Sequence, residues 1–294
     1  MAAEGAAAAA AGTITIGGEL TVNRMGFGAM RLTGSGIWGE PDSREEAKRV
    51  LRRAVELGVQ FIDTADSYGP HVSETLIGEA LAPYTGGVVV ATKGGHVRPG
   101  PGLWTVDGRP DHLKRAIEGS LQRLRLEQIP LYQFHRPDPA IPIEDSVGAL
   151  RELQEEGKVR FIGVSNVDVK LLRRAQREAQ IVSVQNRYNP LDRASEDVLR
   201  VCEEEGLVFL PWGPIGQGRL GHRELVAMAE ARGVSPSQLA LAWLLAHSHA
   251  LLPIPGTCSV AHLEENVAAA KLRLTRQETD RIDALAEGAT RHGA

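Results

Sequence analysis

Residues 43–69 read SREEAKRVLRRAVELGVQFIDTADSYG, and this stretch holds the unit from which the fold is built. Val50, Ala54 and Leu57 recur at helical spacing with charged residues between them, so residues 43–57 form a helix that buries one face. Ser43 precedes Glu46 by three positions, the spacing of a capping box, and Gly58 stands where a left-handed residue ends a helix. Residues 60–64 then form a short β-rich run, followed closely by Asp66, Ser67 and Tyr68. A helix feeding a strand whose carboxyl end is polar is one link of a β/α alternation.

The alternation continues in both directions. Strands are expected at residues 24–30, 60–64, 88–93, 131–135, 161–165, 181–185, 208–212 and 251–255. Helices are expected at 43–57, 73–81, 111–124, 143–155, 169–177 and 196–205, with two more, 224–231 and 236–247, sharing the last gap. Gly157 and Gly206 follow helices as Gly58 does. Residues 13–16 and 19–22 flank Gly17-Gly18, a two-residue hairpin signal, and residues 275–287 are left over as a helix. Eight β/α units after a hairpin plug predict a (β/α)8 TIM barrel, for which about 250 residues is usual. No linker or shift of composition divides the chain, so residues 13–294 are read as one barrel domain. Residues 1–12, rich in alanine, are read as a disordered tail.

Composition limits the function. The chain has 294 residues, 33 basic against 37 acidic side chains and a formal net charge of −4, which gives no support to a nucleic-acid or anionic-membrane partner. The longest apolar run, residues 239–246, is far short of the ~20 residues that span a bilayer. Two cysteines, Cys202 and Cys258, exclude a disulfide scaffold and a CxxC metal ribbon. Without a basic segment ahead of an apolar core, the N-terminus does not read as a signal peptide, and a cytoplasmic protein is expected. No metal site is expected, since His247-Ser248-His249 lacks a third ligand at useful spacing and suits a helix end.

Gly34-Ser35-Gly36-Ile37-Trp38-Gly39 matches GxGxxG, and a Rossmann dehydrogenase is the reading it invites. That fingerprint needs its glycines to turn directly from strand into helix. Here Leu32 and Thr33 intervene before it and Pro41-Asp42 after it, so a loop at the barrel mouth fits better.

In a barrel, chemistry gathers at the carboxyl ends of the strands. Asp63 lies at the end of the second strand with Tyr68 just beyond it, Lys93 at the end of the third and His135 at the end of the fourth. Taken singly, Asp63 and Lys93 suit a structural ion pair, Tyr68 a packing residue and His135 a rim histidine. Together they suit proton donation to a polarised carbonyl: a phenol of pKa about 10, a lysine that lowers it, an aspartate that holds the lysine, and a histidine that positions the oxygen. A glycosidase would need paired strand-end carboxylates, and only Asp63 is so placed.

These residues resemble the aldo-keto reductase family. The likeness runs through residues 58–65, Tyr68-Gly69, Gly163-Val164-Ser165-Asn166, Ile254-Pro255-Gly256-Thr257 and Leu263-Glu264-Glu265-Asn266, and covers residues 13–287. It implies reduction of a small aldehyde or ketone by NADPH, with Asp63, Tyr68, Lys93 and His135 as the catalytic tetrad and Tyr68 as the acid. It further implies that Ser165, Asn166 and Gln185 hold the nicotinamide carboxamide and that Trp212 stacks on the ring. The loop at 213–220, with Gly213, Pro214, Ile215, Gly216, Gly218 and Leu220, would cover the pyrophosphate. Gly256, Thr257 and Ser259 would meet the adenosine phosphates, beside His262, with Glu265 and Asn266 at adenine. Family members often carry a Lys and an Arg where this chain has Gly256 and His262, which leaves NADH open beside NADPH. Ala29-Met30-Arg31-Leu32, residues 68–72 and residues 259–263 are similar to bacterial pyridoxal reductases. The loop at 94–109, with His96, Arg98 and Trp104, would border the substrate, with Trp38 and Arg136 as further contacts. A monomer or small homo-oligomer is expected. The alternative is a nucleotide-binding sensor barrel with slow turnover, which an intact tetrad disfavours.

Overall fold

A computed structural model of the chain describes residues 7–216 and 220–289. A hairpin of β1 (Thr13–Ile16) and β2 (Leu20–Asn23) comes first. Seven parallel strands follow in the spatial order β3 (Phe27–Gly28), β4 (Phe61–Asp63), β5 (Val89–Gly94), β8 (Ile129–Phe134), β9 (Val159–Ser165), β10 (Ile181–Gln185) and β11 (Val208–Phe209). A second hairpin, β6 (His96–Val97) with β7 (Thr105–Val106), rises from the loop after β5. Helices α1 (Arg44–Glu56), α2 (Val72–Leu81), α3 (Pro110–Leu124), α4 (Ile143–Glu155), α5 (Val169–Glu178) and α6 (Glu196–Glu205) alternate with the strands. Beyond β11 come α7 (Arg223–Ala231), α8 (Pro236–His247), α9 (Val260–Ala268) and α10 (Arg276–Ala289).

The eighth expected strand, residues 251–255, is extended chain rather than a regular strand, yet it closes the barrel. Leu252 donates its amide to Phe209 O (2.9 Å), and Gly26 and Gly28 donate to Pro253 O (2.9 Å) and Pro255 O (3.1 Å). Pro253 and Pro255 carry no N–H, so they accept from β3 and return nothing, which interrupts the ladder. Closure also requires close backbone approach. A Cβ on Gly256 would lie 2.6 Å from Gly28 O, and one on Gly28 would lie 2.7 Å from Ile254 O. The architecture is a (β/α)8 barrel.

Two local expectations are corrected. The first hairpin pairs Ile16 with Leu20, so its loop is Gly17-Gly18-Glu19 and not two residues. Both glycines have positive φ, and a Cβ on Gly17 would run into the Phe161 ring, which fixes the hairpin under the barrel. The expected disordered tail is ordered over Ala7–Ala11, a short 3-10 turn. Ala8 is fully buried and donates to Leu57 O (3.0 Å), and Arg273 donates to Ala10 O (2.7 Å); methyl side chains let this turn lie flat on the helical layer.

Helix ends follow the sequence signals. Ser43 caps α1 by accepting from the Glu46 amide (3.2 Å), and Gly58, Gly157 and Gly206 all adopt positive φ. A complete capping box, unforeseen in the sequence, joins Ser235 and Gln238 at α8. The GxGxxG segment is a loop with a 3-10 turn at Ser35–Ile37 and not a strand-to-helix turn.

Candidate active site

Alternation along the barrel strands selects what faces inward. Phe61, Val89, Ala91, Leu131, Phe161, Val208 and Leu210 form an inner core with Leu252 and Ile254, plugged below by Ile16 and Val22 of the hairpin. Their neighbours Ile62, Val90, Tyr132, Ile162 and Phe209 face the helices in a separate outer core. Two residues beyond the inner positions come Asp63, Lys93 and Gln133. A register shift between Ile181 and Ser183 lets Val182 and Gln185 both point inward. The top inner layer is therefore polar because the strand parity delivers it there.

That layer is one hydrogen-bonded network. Lys93 Nζ donates to Asp63 Oδ2 (2.7 Å) and to Thr64 O (2.7 Å). Gln133 Nε2 (3.2 Å) and Gln185 Nε2 (2.9 Å) both donate to Asp63 Oδ1. Lys93 is fully buried and Asp63 is 3% exposed, so each charge relies on these partners in place of water. Burial opposes the lysine's charge, but Asp63 and Tyr68 outweigh it and raise the Lys93 pKa. Lys93 stays an ammonium.

Tyr68 lies over this network, with Lys93 Nζ 5.3 Å from its ring centroid. The lysine was expected to lower the phenol's pKa; the net shift is upward. Burial dominates, and Lys93 offsets it only in part. His135 meets Tyr68 edge-on at 5.9 Å. Burial, then Lys93, His96 and Arg136, push its pKa well below the usual imidazole range, so His135 is neutral. Ser67 Oγ lies 3.5 Å from its Nδ1. The four expected catalytic side chains thus converge.

A cavity of about 810 Å³ opens above them, lined by Asp63, Tyr68 and His135 together with Ser165, Asn166, Gln185, Trp212, Gly213, Pro214, Ile215 and Gly256. Ser165 Oγ donates to Gln185 O (2.7 Å). Asn166, at φ 59°, donates to His135 O (3.0 Å) and Ser165 Oγ (3.0 Å), and accepts from Trp212 Nε1 (3.1 Å). The left-handed backbone that asparagine tolerates turns its amide across three strand ends and fixes the Trp212 ring at the cavity wall. Among the described residues, the other expected dinucleotide residues are not part of this cavity's lining. Leu220 is buried, Gly216 donates to Gly213 O (2.9 Å), and Gly218 falls outside the described residues. Thr257 Oγ1 accepts from the Ser259 amide (3.1 Å), and Ser259 caps α9 through the His262 amide (3.4 Å). Glu265 and Asn266 follow on α9, Asn266 being buried. Gly256, where a lysine was sought, has no room for a side chain, because a Cβ would meet Gly28 O at 2.6 Å.

Sequence reasoning gave no role to Gln133 or Ser67; the signal for Gln133 was its even spacing from Leu131. The loop at 94–109 does border the cavity, through His96, Trp104, Thr105 and Val106. Arg98 ties it down. Its guanidinium donates to Ile37 O (2.8 Å), Gly36 O (3.2 Å), Ser67 O (3.3 Å) and Leu103 O (3.0 Å), with the Trp104 ring 3.7 Å and the Trp38 ring 5.5 Å away. The glycine-rich loop and the Tyr68 loop are thereby clamped to the second hairpin.

The model of the aldo/keto reductase family matches residues 24–287. The chain belongs to the aldo/keto reductase family. Among curated members, an uncharacterized oxidoreductase of Schizosaccharomyces pombe is 45% identical over 278 residues, 94% of this chain and 90% of that protein. Pyridoxine 4-dehydrogenase of Escherichia coli is 40% identical over 281 residues, 93% of this chain and 98% of that one. Among solved family structures, an aldo-keto reductase from Klebsiella pneumoniae in complex with NADPH aligns with a TM-score of 0.80 at 30% identity, over 93% of this chain and 94% of that one.

Proposed function

We propose that this protein reduces a small aldehyde or ketone to the alcohol with NADPH, and that pyridoxal belongs to its substrate class. The observation that carries the reading is the Tyr68 phenol at the floor of the cavity, backed by a buried lysine that Asp63 and two glutamines hold. The NADPH complex of the Klebsiella pneumoniae relative and the name of the Escherichia coli relative support the cofactor and the substrate class. No helix among the described residues is long and apolar enough to cross a membrane.

The donor set fits a nicotinamide. Trp212 offers a flat face fixed by Asn166, and Gln185, whose amide nitrogen is engaged by Asp63, would present Oε1 as the acceptor for a carboxamide. The nicotinamide, when bound, supplies the hydride that reaches the carbonyl carbon. Tyr68 protonates the carbonyl oxygen as negative charge develops there. Lys93 stabilises the phenolate left behind, and Asp63 keeps Lys93 charged and pointed at Tyr68. Neutral His135 orients the oxygen in the tautomer that carries its proton on Nε2, where it would donate to the oxygen, and in that tautomer Nδ1 faces Ser67 Oγ (3.5 Å) as an acceptor. Tyr68 then regains a proton from water. Aldehyde, NADPH and one proton thus yield alcohol and NADP⁺.

The test is NADPH and NADH oxidation with pyridoxal and with benzaldehyde, beside Tyr68→Phe. Loss of the proton donor is expected to lower turnover about 10²- to 10⁴-fold with dinucleotide affinity kept. Full activity in Tyr68→Phe would overturn the mechanism, and NADPH binding without turnover of either aldehyde would favour a sensor.

A further inference from the structure

The cavity holds polar groups that the reduction itself does not use. His96 Nδ1 lies 3.2 Å from Thr105 O across the β6–β7 hairpin. A carbonyl only accepts, so Nδ1 bears the hydrogen. Burial holds the ring's pKa down at about 4, so His96 is neutral and its Nε2 is a bare acceptor. No hydrogen-bond partner is found for that nitrogen among the described residues, and the ring lines the cavity. It stands edge-on to His135 at 4.4 Å and to Trp104 at 5.3 Å, so it is placed beside the reacting carbonyl.

Arg136 lines the same cavity directly after His135 in the chain. Its guanidinium has no carboxylate partner among the described residues. The one acidic lining residue, Asp63, is already paired to Lys93 at 2.7 Å. Arg136 is close enough to depress the pKa values of both His96 and His135. Arg31, the other cation of the lining without a carboxylate partner among the described residues, sits in the 3-10 turn Ala29–Leu32 that follows β3, and β4 and β5 separate β3 from β8, the strand that leads into His135. The group next to the reacting carbon therefore meets one cation and one neutral acceptor.

We propose, resting on the reductase reading above, that His96 and Arg136 form a substrate-reading pair: Arg136 binds an oxyanion adjacent to the carbonyl, and His96 Nε2 accepts from a ring N–H or hydroxyl of the same molecule. The substrate class this selects is a zwitterionic heteroaromatic aldehyde, an ionised hydroxyl beside the carbonyl and a protonated nitrogen in the ring. Trp104 supplies the aromatic wall, held from behind by Arg98 at 3.7 Å. A neutral aldehyde of the same size leaves both groups unanswered.

The experiment compares three aldehydes with wild type, Arg136→Met and His96→Phe: pyridoxal, its 3-O-methyl ether, which lacks the oxyanion, and the analogue with carbon in place of the ring nitrogen. Both kcat/KM with saturating NADPH and the dissociation constant of each aldehyde, from tryptophan fluorescence, are read. Wild type should favour pyridoxal over each analogue about 10- to 100-fold, the range of a charge-assisted hydrogen bond. Arg136→Met should collapse the preference over the ether, and His96→Phe the preference over the carbon analogue. Preferences that survive both substitutions, or a wild type that does not discriminate, overturn the pair and leave the reductase reading in place. Discrimination in the dissociation constants that collapses as described, without turnover of any aldehyde, supports the pair and overturns the reductase reading.

Discussion

Lys93→Met tests the energetic logic of the site. Methionine preserves most of the lysine's volume, so the change is chiefly one of charge. It leaves the Asp63 carboxylate, 3% exposed, with only the amides of Gln133 (3.2 Å) and Gln185 (2.9 Å) and no cation at 2.7 Å. Removing one member of a buried ion pair costs about 3–5 kcal/mol, since the remaining charge keeps its desolvation penalty. In a chain of this size about 2 °C of Tm corresponds to each kcal/mol, which gives a fall of about 6–10 °C. Asp63→Asn should cost a similar amount by stranding Lys93, which keeps Thr64 O (2.7 Å) and the Tyr68 hydroxyl but loses its counter-charge. The double variant carries neither charge and should lose far less than the two single losses combined, with a coupling of at least about 2 kcal/mol. Urea denaturation followed by tryptophan fluorescence measures all four proteins, and a parallel NADPH assay should find no appreciable reduction in any of the three variants. Additivity within about 0.5 kcal/mol would refute the claim that the pair is held by mutual compensation.

Two further outcomes follow from the same geometry. Burial holds the Tyr68 phenol above its ordinary range, and the protonated form is the acid; kcat/KM for reduction should therefore stay flat through neutral pH and fall only above about pH 10, so a decline centred near neutrality would assign the acid elsewhere. Gly256→Ala would press a Cβ to 2.6 Å from Gly28 O, so Tm should drop by the equivalent of about 1–3 kcal/mol, measured by thermal unfolding, and an unchanged Tm would mean the β3 edge yields freely.

The barrel was legible because helix period and strand period each leave a local signature, and residues 43–69 show both. Seven of the eight expected strands appear near their expected places. The eighth was right in position but not in regularity, since Pro253 and Pro255 cannot donate, and its closure depends on Gly26 and Gly28, more than two hundred residues earlier in the chain. The short turn at Ala7–Ala11 was hidden because alanine composition does not reveal whether a surface waits to receive it.

Asp63, Tyr68, Lys93 and His135 could be named from strand-end position and residue type, which are properties of the chain taken locally. Chemical type also indicated that these groups suit proton donation to a carbonyl. Their electrostatic balance could not be read this way. Whether Lys93 or burial governs Tyr68 depends on the exclusion of water by groups from several strands, and burial prevails. The roles of Gln133 and of the bare His96 nitrogen likewise arise only when the barrel closes and the second hairpin folds over its mouth. Periodicity along a chain determines which face a side chain takes; the three-dimensional meeting of those faces decides which charges are paired and which are left for a ligand.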